Sequence, residues 1–323
     1  MRVLITGAAG FLGSHLAEYY LSKGDEVVGI DDFCTSRRVS EHCRRLVRHN
    51  NYEHYYTDIC NLDSTQDEFF FLTDGKFDII FNFACPASPP KYQELAIKTI
   101  NTCTQGLQNI LDIAYETDAR VVHASTSEVY GDPSEMPQDE SYWGNVNPYG
   151  PRGCYDNGKR MAETICYEYR KNLGIDIRIV RIFNTYGPHM DVDDGRVITN
   201  FIKQALRGEP ITIFGDGNQT RSFCYVDDLI DGITRLAALV ENDGTPINLG
   251  NPYKYTMQQL ADKIIERVGR DHGILYLPLP QDDPTQRRPN TAKAYSLLNW
   301  NAKTSLDEGL ERMIPYMKKV LNK

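Results

Sequence analysis

Gly7-Ala8-Ala9-Gly10-Phe11-Leu12-Gly13 follows the apolar run Arg2-Val3-Leu4-Ile5-Thr6 and leads into a helical pattern through Leu16, Tyr20 and Leu21. The order is strand, glycine-rich turn, helix. In that setting Gly7 permits the tight turn, Gly10 lets the backbone approach a pyrophosphate, and Gly13 lets helix and strand pack closely. The start of the helix, at Phe11, Leu12 and Gly13, then offers unpaired N–H groups to the phosphates. Residues 26–30 read as the next strand and end at Asp31-Asp32. An acidic residue about 20 positions past the glycines suits a ribose 2′-hydroxyl and repels a 2′-phosphate. NAD is therefore favoured over NADP, although Arg37 and Arg38 stand close enough in sequence to accept a 2′-phosphate.

Further strand–helix units follow. Residues 52–56 predict a strand ending at Thr57-Asp58-Ile59, where Asp58 and Ile59 can meet the adenine edge of a cofactor, or Asp58 can simply cap a helix. Residues 77–83 are almost wholly apolar, as a central parallel strand should be. They open into Ala84-Cys85-Pro86-Ala87-Ser88-Pro89-Pro90, which puts Ala84 and Pro86 at a strand's carboxyl end, where ligands bind. The spacing of Ile97, Ile100, Leu107, Ile110, Leu111 and Ala114 predicts one long helix over 92–116. Residues 120–124 are the next strand and run into Ser125-Thr126-Ser127-Glu128.

This alternation predicts an α/β fold, a doubly wound parallel sheet of the Rossmann type. The second half is less regular. It holds a strand over 175–182 and helices over 197–207, 226–239, 257–268 and 306–321. A smaller C-terminal substrate-binding lobe is expected, built from separate pieces. The division is 1–182 plus 222–250 for the NAD-binding domain and 183–221 plus 251–323 for the substrate domain.

The chain has 323 residues, 41% hydrophobic and 24% charged, which is enough for a large core or two lobes. A net charge of −9 argues against nucleic acid or an anionic membrane as partner. It leaves room for an anionic small molecule, because a local arginine cluster binds phosphate even in an acidic protein. No apolar run reaches the roughly 20 residues that a membrane span needs. The strand expected at residues 2–6 leaves no room for a signal peptide. Eight cysteines without a Cys-x-x-Cys pair point to reduced thiols and a cytoplasmic location, not a disulfide frame or zinc site. Seven histidines without a His-x-x-x-His spacing give no metal site.

Tyr155-Asp156-Asn157-Gly158-Lys159 opens a further helical run. Residues four apart share a helix face. A lysine beside a phenol favours the phenolate and lowers its pKa, which would let Tyr155 take a proton from a sugar hydroxyl. Tyr19/Lys23 and Tyr167/Lys171 have the same spacing and read as helix surface. Only Tyr155 follows a strand-end threonine, Thr126, and a dinucleotide-type turn.

Taken together, the glycine turn, the Thr126 and the Tyr-x-x-x-Lys resemble an extended short-chain dehydrogenase/reductase. Within that group several blocks most resemble the UDP-glucuronate decarboxylase (UDP-xylose synthase) family. They are Cys-Pro-Ala-Ser-Pro-Pro (85–90), Ser-Thr-Ser-Glu-Val-Tyr-Gly-Asp-Pro (125–133), Glu-Ser-Tyr-Trp-Gly-Asn-Val-Asn-Pro (140–148) and Cys-Tyr-Asp-Asn-Gly-Lys-Arg (154–160). Four later blocks, at 181–188, 193–197, 215–223 and 282–289, extend the likeness over nearly the whole chain.

The resemblance implies a UDP-sugar substrate, UDP-glucuronate. It makes Tyr155 the base at the sugar's 4-hydroxyl, and Lys159 the residue that binds the nicotinamide ribose and holds the tyrosine's pKa down. Thr126 would hydrogen-bond near the reacting hydroxyl. Glu128 and Arg287 would serve decarboxylation and reprotonation, with Arg288 the alternative contact. Asn184, Arg196 and Arg221 match positions that hold the UDP; Pro86, Ser127, Val197, Tyr225 and Arg287 complete the expected substrate set. Ser127 stands where many 4,6-dehydratases carry an aspartate, and Glu128 stands where epimerases usually lack an acid. Asn157 and Tyr149 depart from the family's usual Glu and Ile. Those departures leave open a related substrate or a chain that only oxidises carbon 4; Ser127 disfavours a dehydratase and Glu128 a simple epimerase, which stay as alternatives beside a 4-dehydrogenase and a non-catalytic NAD-binding regulator. Relatives pair two helices across a two-fold, which implies a homodimer through a four-helix interface. Leu107, Ile110, Met161 and Tyr167 are the expected unmet apolar positions.

Overall fold

The computed structural model describes residues 1–36, 41–284 and 286–322. The two arginines that bear on a 2′-phosphate, Arg37 and Arg38, lie outside the described residues. A seven-stranded, all-parallel sheet forms the centre. Its strands are β1 (Arg2–Thr6), β2 (Glu26–Ile30), β3 (Tyr52–Tyr55), β4 (Ile79–Asn82), β5 (Arg120–Thr126), β6 (Ile177–Ile182) and β7 (Ile247–Leu249). Their spatial order is β7-β6-β5-β4-β1-β2-β3. The chain leaves β1 toward β2 and β3, then returns to build the other half from β4. The sheet therefore has its switch point between β1 and β4, and ligands bind at the carboxyl ends there.

Alternate residues of each strand serve opposite faces. Val3 and Ile5 join one core with Phe81, Val122 and Val180, while Leu4 joins another with Ile80, Val121 and Ile177. The first core continues through Ile211, Leu260, Leu310 and Met317 of the second half of the chain. That half carries the helices Val197–Arg207, Met257–Val268 and Leu306–Leu321. It also carries a three-stranded sheet in the order Lys254–Thr256, Thr220–Ser222, Gln286–Arg287. Thr256 and Ser305 open their helices with reciprocal capping boxes to Gln259 and Glu308.

The single helix expected over 92–116 is broken. It is Pro89–Glu94, then Ala96–Asn101, a π-helical turn Thr102–Gly106, and Leu107–Thr117. Leu95 leaves helical geometry at φ −109 and ψ 40. Hydrophobic spacing survives such a bulge, so the pattern alone does not reveal it. Leu107 and Ile110 are fully buried, not unmet: they pack into the core below the sheet. Met161 and Tyr167 do remain exposed.

The turn after β1 is as tight as its glycines suggest. Gly7 has φ +70, and a methyl there would meet the Phe83 backbone at 2.9 Å. A methyl on Gly13 would sit 2.1 Å from the Gly7 carbonyl oxygen. Gly13→Ala should therefore lose about 2–3 kcal/mol of stability, an overpacking cost. Urea unfolding checks it: an unchanged midpoint would contradict this close approach.

Candidate active site

Thr126 ends β5, and its hydroxyl accepts the Glu128 N–H at 3.3 Å, starting a short turn over Ser127–Tyr130. The helix Gly153–Leu173 carries Tyr155 and Lys159 to the same edge. Lys159 is buried and donates to the Ala124 carbonyl at 2.7 Å, with its Nζ 6.0 Å from the Tyr155 ring centroid. Tyr155 is buried, hydrogen-bonds Thr126 and stacks on Tyr92 at 4.9 Å and 4°. Burial pushes the Tyr155 phenol well above its ordinary value, with Arg196 and Thr126 pulling against it. Within the folded chain burial, with Cys85 adding to it, is the larger effect on the phenol.

Glu128 is the most heavily paired group of the site. Arg287 meets both of its oxygens, at 2.6 and 2.7 Å, and Arg152 reaches Oε2 at 2.5 Å. All three side chains are largely buried. Burial alone would raise the Glu128 carboxyl; Arg287 and Arg152 outweigh it and hold it below the ordinary carboxylate value. Arg221 lies beside Arg287 on the neighbouring strand and pairs with Asp283 at 3.0 Å. Burial and the Arg287 charge bring the Arg221 guanidinium down to about 10. Asp156 stands 3.5 Å from Arg152 through Oδ2, and its buried Oδ1 has no hydrogen-bond partner. Burial and the nearby Glu128 raise its carboxyl to about 7.

A cavity of about 830 Å³ joins this cluster to the glycine turn. Gly7, Gly10, Phe11, Leu12, Gly13, Asp31, Asp58, Ile59 and Ala84 line one end; Thr126, Ser127, Glu128, Tyr155 and Lys159 line the other. The helix Phe11–Ser22 begins at Gly10 without a side-chain cap, so its first N–H groups are free for a phosphate. The glycine cradle, which any Cβ would fill, thus fits a dinucleotide. Asp31 accepts from Ala9 N at 3.0 Å and Phe33 N at 2.8 Å, which fixes its carboxylate at the cavity wall. Of the two roles its sequence allowed, the structure shows Asp58 as a cap. It lines the cavity, and it caps the turn at Ile59–Asn61 through Cys60 N. Lys98 ties it to Asp32, at 2.5 Å to each.

Of the expected substrate residues, Pro86, Ser127, Asn184 and Arg196 line the cavity. Arg196 reaches across to the Ala87 carbonyl at 2.9 Å. Arg221 and Arg287 stand behind Glu128, off the cavity wall. Val197 and Tyr225 are not on the wall either; the Tyr225 ring packs against Tyr186 and Arg312. Arg288 turns away to the Pro252 carbonyl. Sequence reasoning missed Arg152, Asp156, Tyr92 and Lys98. Arg152 and Asp156 flank Tyr155 by three and one positions, which was the available signal. Among the described residues, no group of three or more His, Cys, Asp or Glu side chains could hold a metal.

Residues 3–250 match the NAD dependent epimerase/dehydratase family. The chain belongs to that family. Among curated members, UDP-glucuronic acid decarboxylase 1 of Xenopus tropicalis is 46% identical over 99% of this chain and 73% of its own. UDP-glucuronic acid decarboxylase 6 of Arabidopsis thaliana is 46% identical over 97% of this chain and 88% of its own. A solved member, UDP-glucuronic acid 4-epimerase from Bacillus cereus in complex with UDP-glucuronic acid and NAD, superposes with a TM-score of 0.86 at 30% identity. The match covers 99% of this chain and 100% of that one.

The raised Asp156 carboxyl gives a stability test. Between about pH 4, the ordinary carboxylate range, and about 7, the folded chain holds a proton that the unfolded chain lacks. This group's contribution therefore falls as pH rises through that window and levels off above it. Asp156→Asn removes the slope. The melting temperature of the variant relative to the parent should rise from about pH 5 to 7 and then stay flat; a pH-independent gap would refute the assignment.

Proposed function

We propose that this chain is an NAD-dependent UDP-glucuronate decarboxylase, converting UDP-glucuronate to UDP-xylose and carbon dioxide. The observation that carries the reading is Glu128, gripped by Arg287 and Arg152 beside Thr126, Tyr155 and Lys159. Tyr155 and Lys159 alone suit any 4-oxidation in the family. The clamped glutamate adds, at the cavity wall, an acid–base group that decarboxylation and reprotonation call for and that 4-oxidation alone does not.

Gly7, Gly10, Gly13, Asp31 and Lys159 would hold NAD, which would supply the hydride exchange at carbon 4. Tyr155 takes the proton of the 4-hydroxyl, with Thr126 holding the same oxygen. The 4-ketone then lies β to the carboxylate on carbon 5. A β-keto acid loses carbon dioxide readily, because the electron pair delocalises into the ketone as an enolate. Protonation at carbon 5 and return of hydride to carbon 4 complete the turnover, which consumes one proton. Glu128 at the cavity wall, backed by Arg287, serves the decarboxylation and reprotonation steps. Asn184 and Arg196 sit where the UDP would be gripped, and Arg196 brings a cation toward the diphosphate.

The incubation that tests this uses purified protein and UDP-glucuronate, followed by mass spectrometry. A UDP-pentose and carbon dioxide are expected. A product of unchanged mass would instead mark a 4-epimerase, the activity named for the Bacillus cereus relative. Tyr155→Phe should lose about 10²–10⁴-fold in rate, the usual worth of a positioned base; undiminished turnover would sink the mechanism.

The chain is also proposed to act as a homodimer in the cytoplasm. Ile97, Met161 and Tyr167 expose apolar surface on two adjacent helices, Ala96–Asn101 and Gly153–Leu173. The eight cysteines stand as free thiols, which suits a reducing compartment. Among the described residues, no helix is long and apolar enough to cross a membrane. Light scattering at micromolar concentration should give twice the chain mass; a monomer mass would exclude the dimer.

A further inference from the structure

The decarboxylation consumes a proton, yet Glu128 is held ionised by two guanidiniums. The groups behind it therefore decide how it is held and how readily it exchanges a proton. Arg152 does not line the cavity. It caps the start of the helix that carries Tyr155 and lies near the Tyr92 ring, 5.9 Å from its centroid. Its guanidinium is shared among three carboxylates: Glu128 at 2.5 Å, Asp156 at 3.5 Å and Asp283 at 3.7 Å. Only the Glu128 contact is a hydrogen bond of full strength. Asp156 follows Tyr155 directly, is buried, and keeps Oδ1 without a hydrogen-bond partner. A buried carboxylate oxygen left unpaired is costly and calls for an explanation.

Resting on the decarboxylase reading, we infer that Arg152 is a positioning residue for Glu128 and that Asp156, its second carboxylate partner, tunes that hold through its own charge. When Asp156 is neutral, Arg152 acts on Glu128 with less competition. When Asp156 is ionised, it draws on the same guanidinium and adds a like charge near Glu128, and both effects raise the proton affinity of Glu128. The groups that face Asp156 come from every neighbouring element. They are Glu128 from the turn after β5, Arg287 from the short strand, Tyr92 from the helix before, and Arg152 and Cys154 from its own helix start. Burial and the neighbouring Glu128 bring the Asp156 carboxyl to about 7, and with its 3.5 Å contact to Arg152 this makes Asp156 the group poised to change charge near neutrality.

The test separates the chemical steps. Nicotinamide reduction is followed by absorbance, carbon dioxide release by trapping, and kcat and KM are taken across pH for the parent, Arg152→Gln, Arg152→Lys and Asp156→Asn. Arg152→Gln should lose about a hundredfold in kcat for carbon dioxide release, as expected for a misplaced catalytic group, with KM and nicotinamide reduction little changed. Arg152→Lys should recover part of the loss. Asp156→Asn is nearly isosteric, and it should flatten the pH dependence of kcat around neutrality. Parent-like kcat in Arg152→Gln, or equal losses in both steps, overturns the positioning role. A pH profile unchanged in Asp156→Asn overturns the tuning. Absence of carbon dioxide from the unaltered protein overturns the decarboxylase reading and this inference with it, whereas unaltered variants overturn the inference alone.

Discussion

Two guanidiniums converge on the buried carboxylate of Glu128. The three residues come from three parts of the chain: the end of β5, the start of the Tyr155 helix, and a short strand of the second half of the chain. A buried charge without a partner costs several kcal/mol, so none of these segments can move off alone without leaving one. The cluster therefore fixes that short strand against the sheet edge and shapes the reacting end of the cavity in the same act. Arg221 and Asp283 extend it.

The opposite end of the cavity is held by different means. There the constraint is close backbone approach, with Gly7 and Gly13 in contact and the helix N-terminus left uncapped. Thr6 secures the neighbouring strand ends, donating to Asn82 at 2.8 Å and accepting from Phe83 and Ala84 N–H at 3.1 Å. Lys98 joins Asp32 to Asp58 across the mouth. An end built of backbone N–H groups and an end built of charged side chains would suit two different tasks. Phosphate needs N–H groups at fixed positions, whereas proton transfer needs groups whose charge can change.

Burial and charge compete at each titratable group, and they do not always resolve the same way. At Glu128 two short ion pairs beat desolvation, so it stays ionised. At Tyr155 burial outweighs the pull of Arg196 and the Thr126 hydrogen bond, so desolvation prevails. At Asp156 a single long contact to Arg152 offsets only part of the burial cost and the repulsion from Glu128. The differences follow from distance and geometry, since Coulomb attraction at low dielectric falls steeply once a direct hydrogen bond is lost.

The sequence by itself determined the class of fold. Period-two and period-3.6 patterns, punctuated by glycine turns, depend on local chemistry that any reader of the chain can see. They located every strand of the parallel sheet except β7, and the glycine turn where a cofactor fits. They put Thr126 and Glu128 at the same sheet edge as Tyr155 and Lys159, while the roles of these residues came only from the family resemblance. The break at Leu95 and the π turn that follows were hidden, because an inserted residue leaves hydrophobic spacing nearly intact. Only the tertiary structure brought Arg152 and Arg287 onto Glu128, 24 and 159 residues away in sequence. It alone set Tyr92 on Tyr155, and showed Leu107 and Ile110 buried while Met161 stays exposed. Contacts between distant segments, and the dielectric around each charge, exist only once the chain has closed on itself.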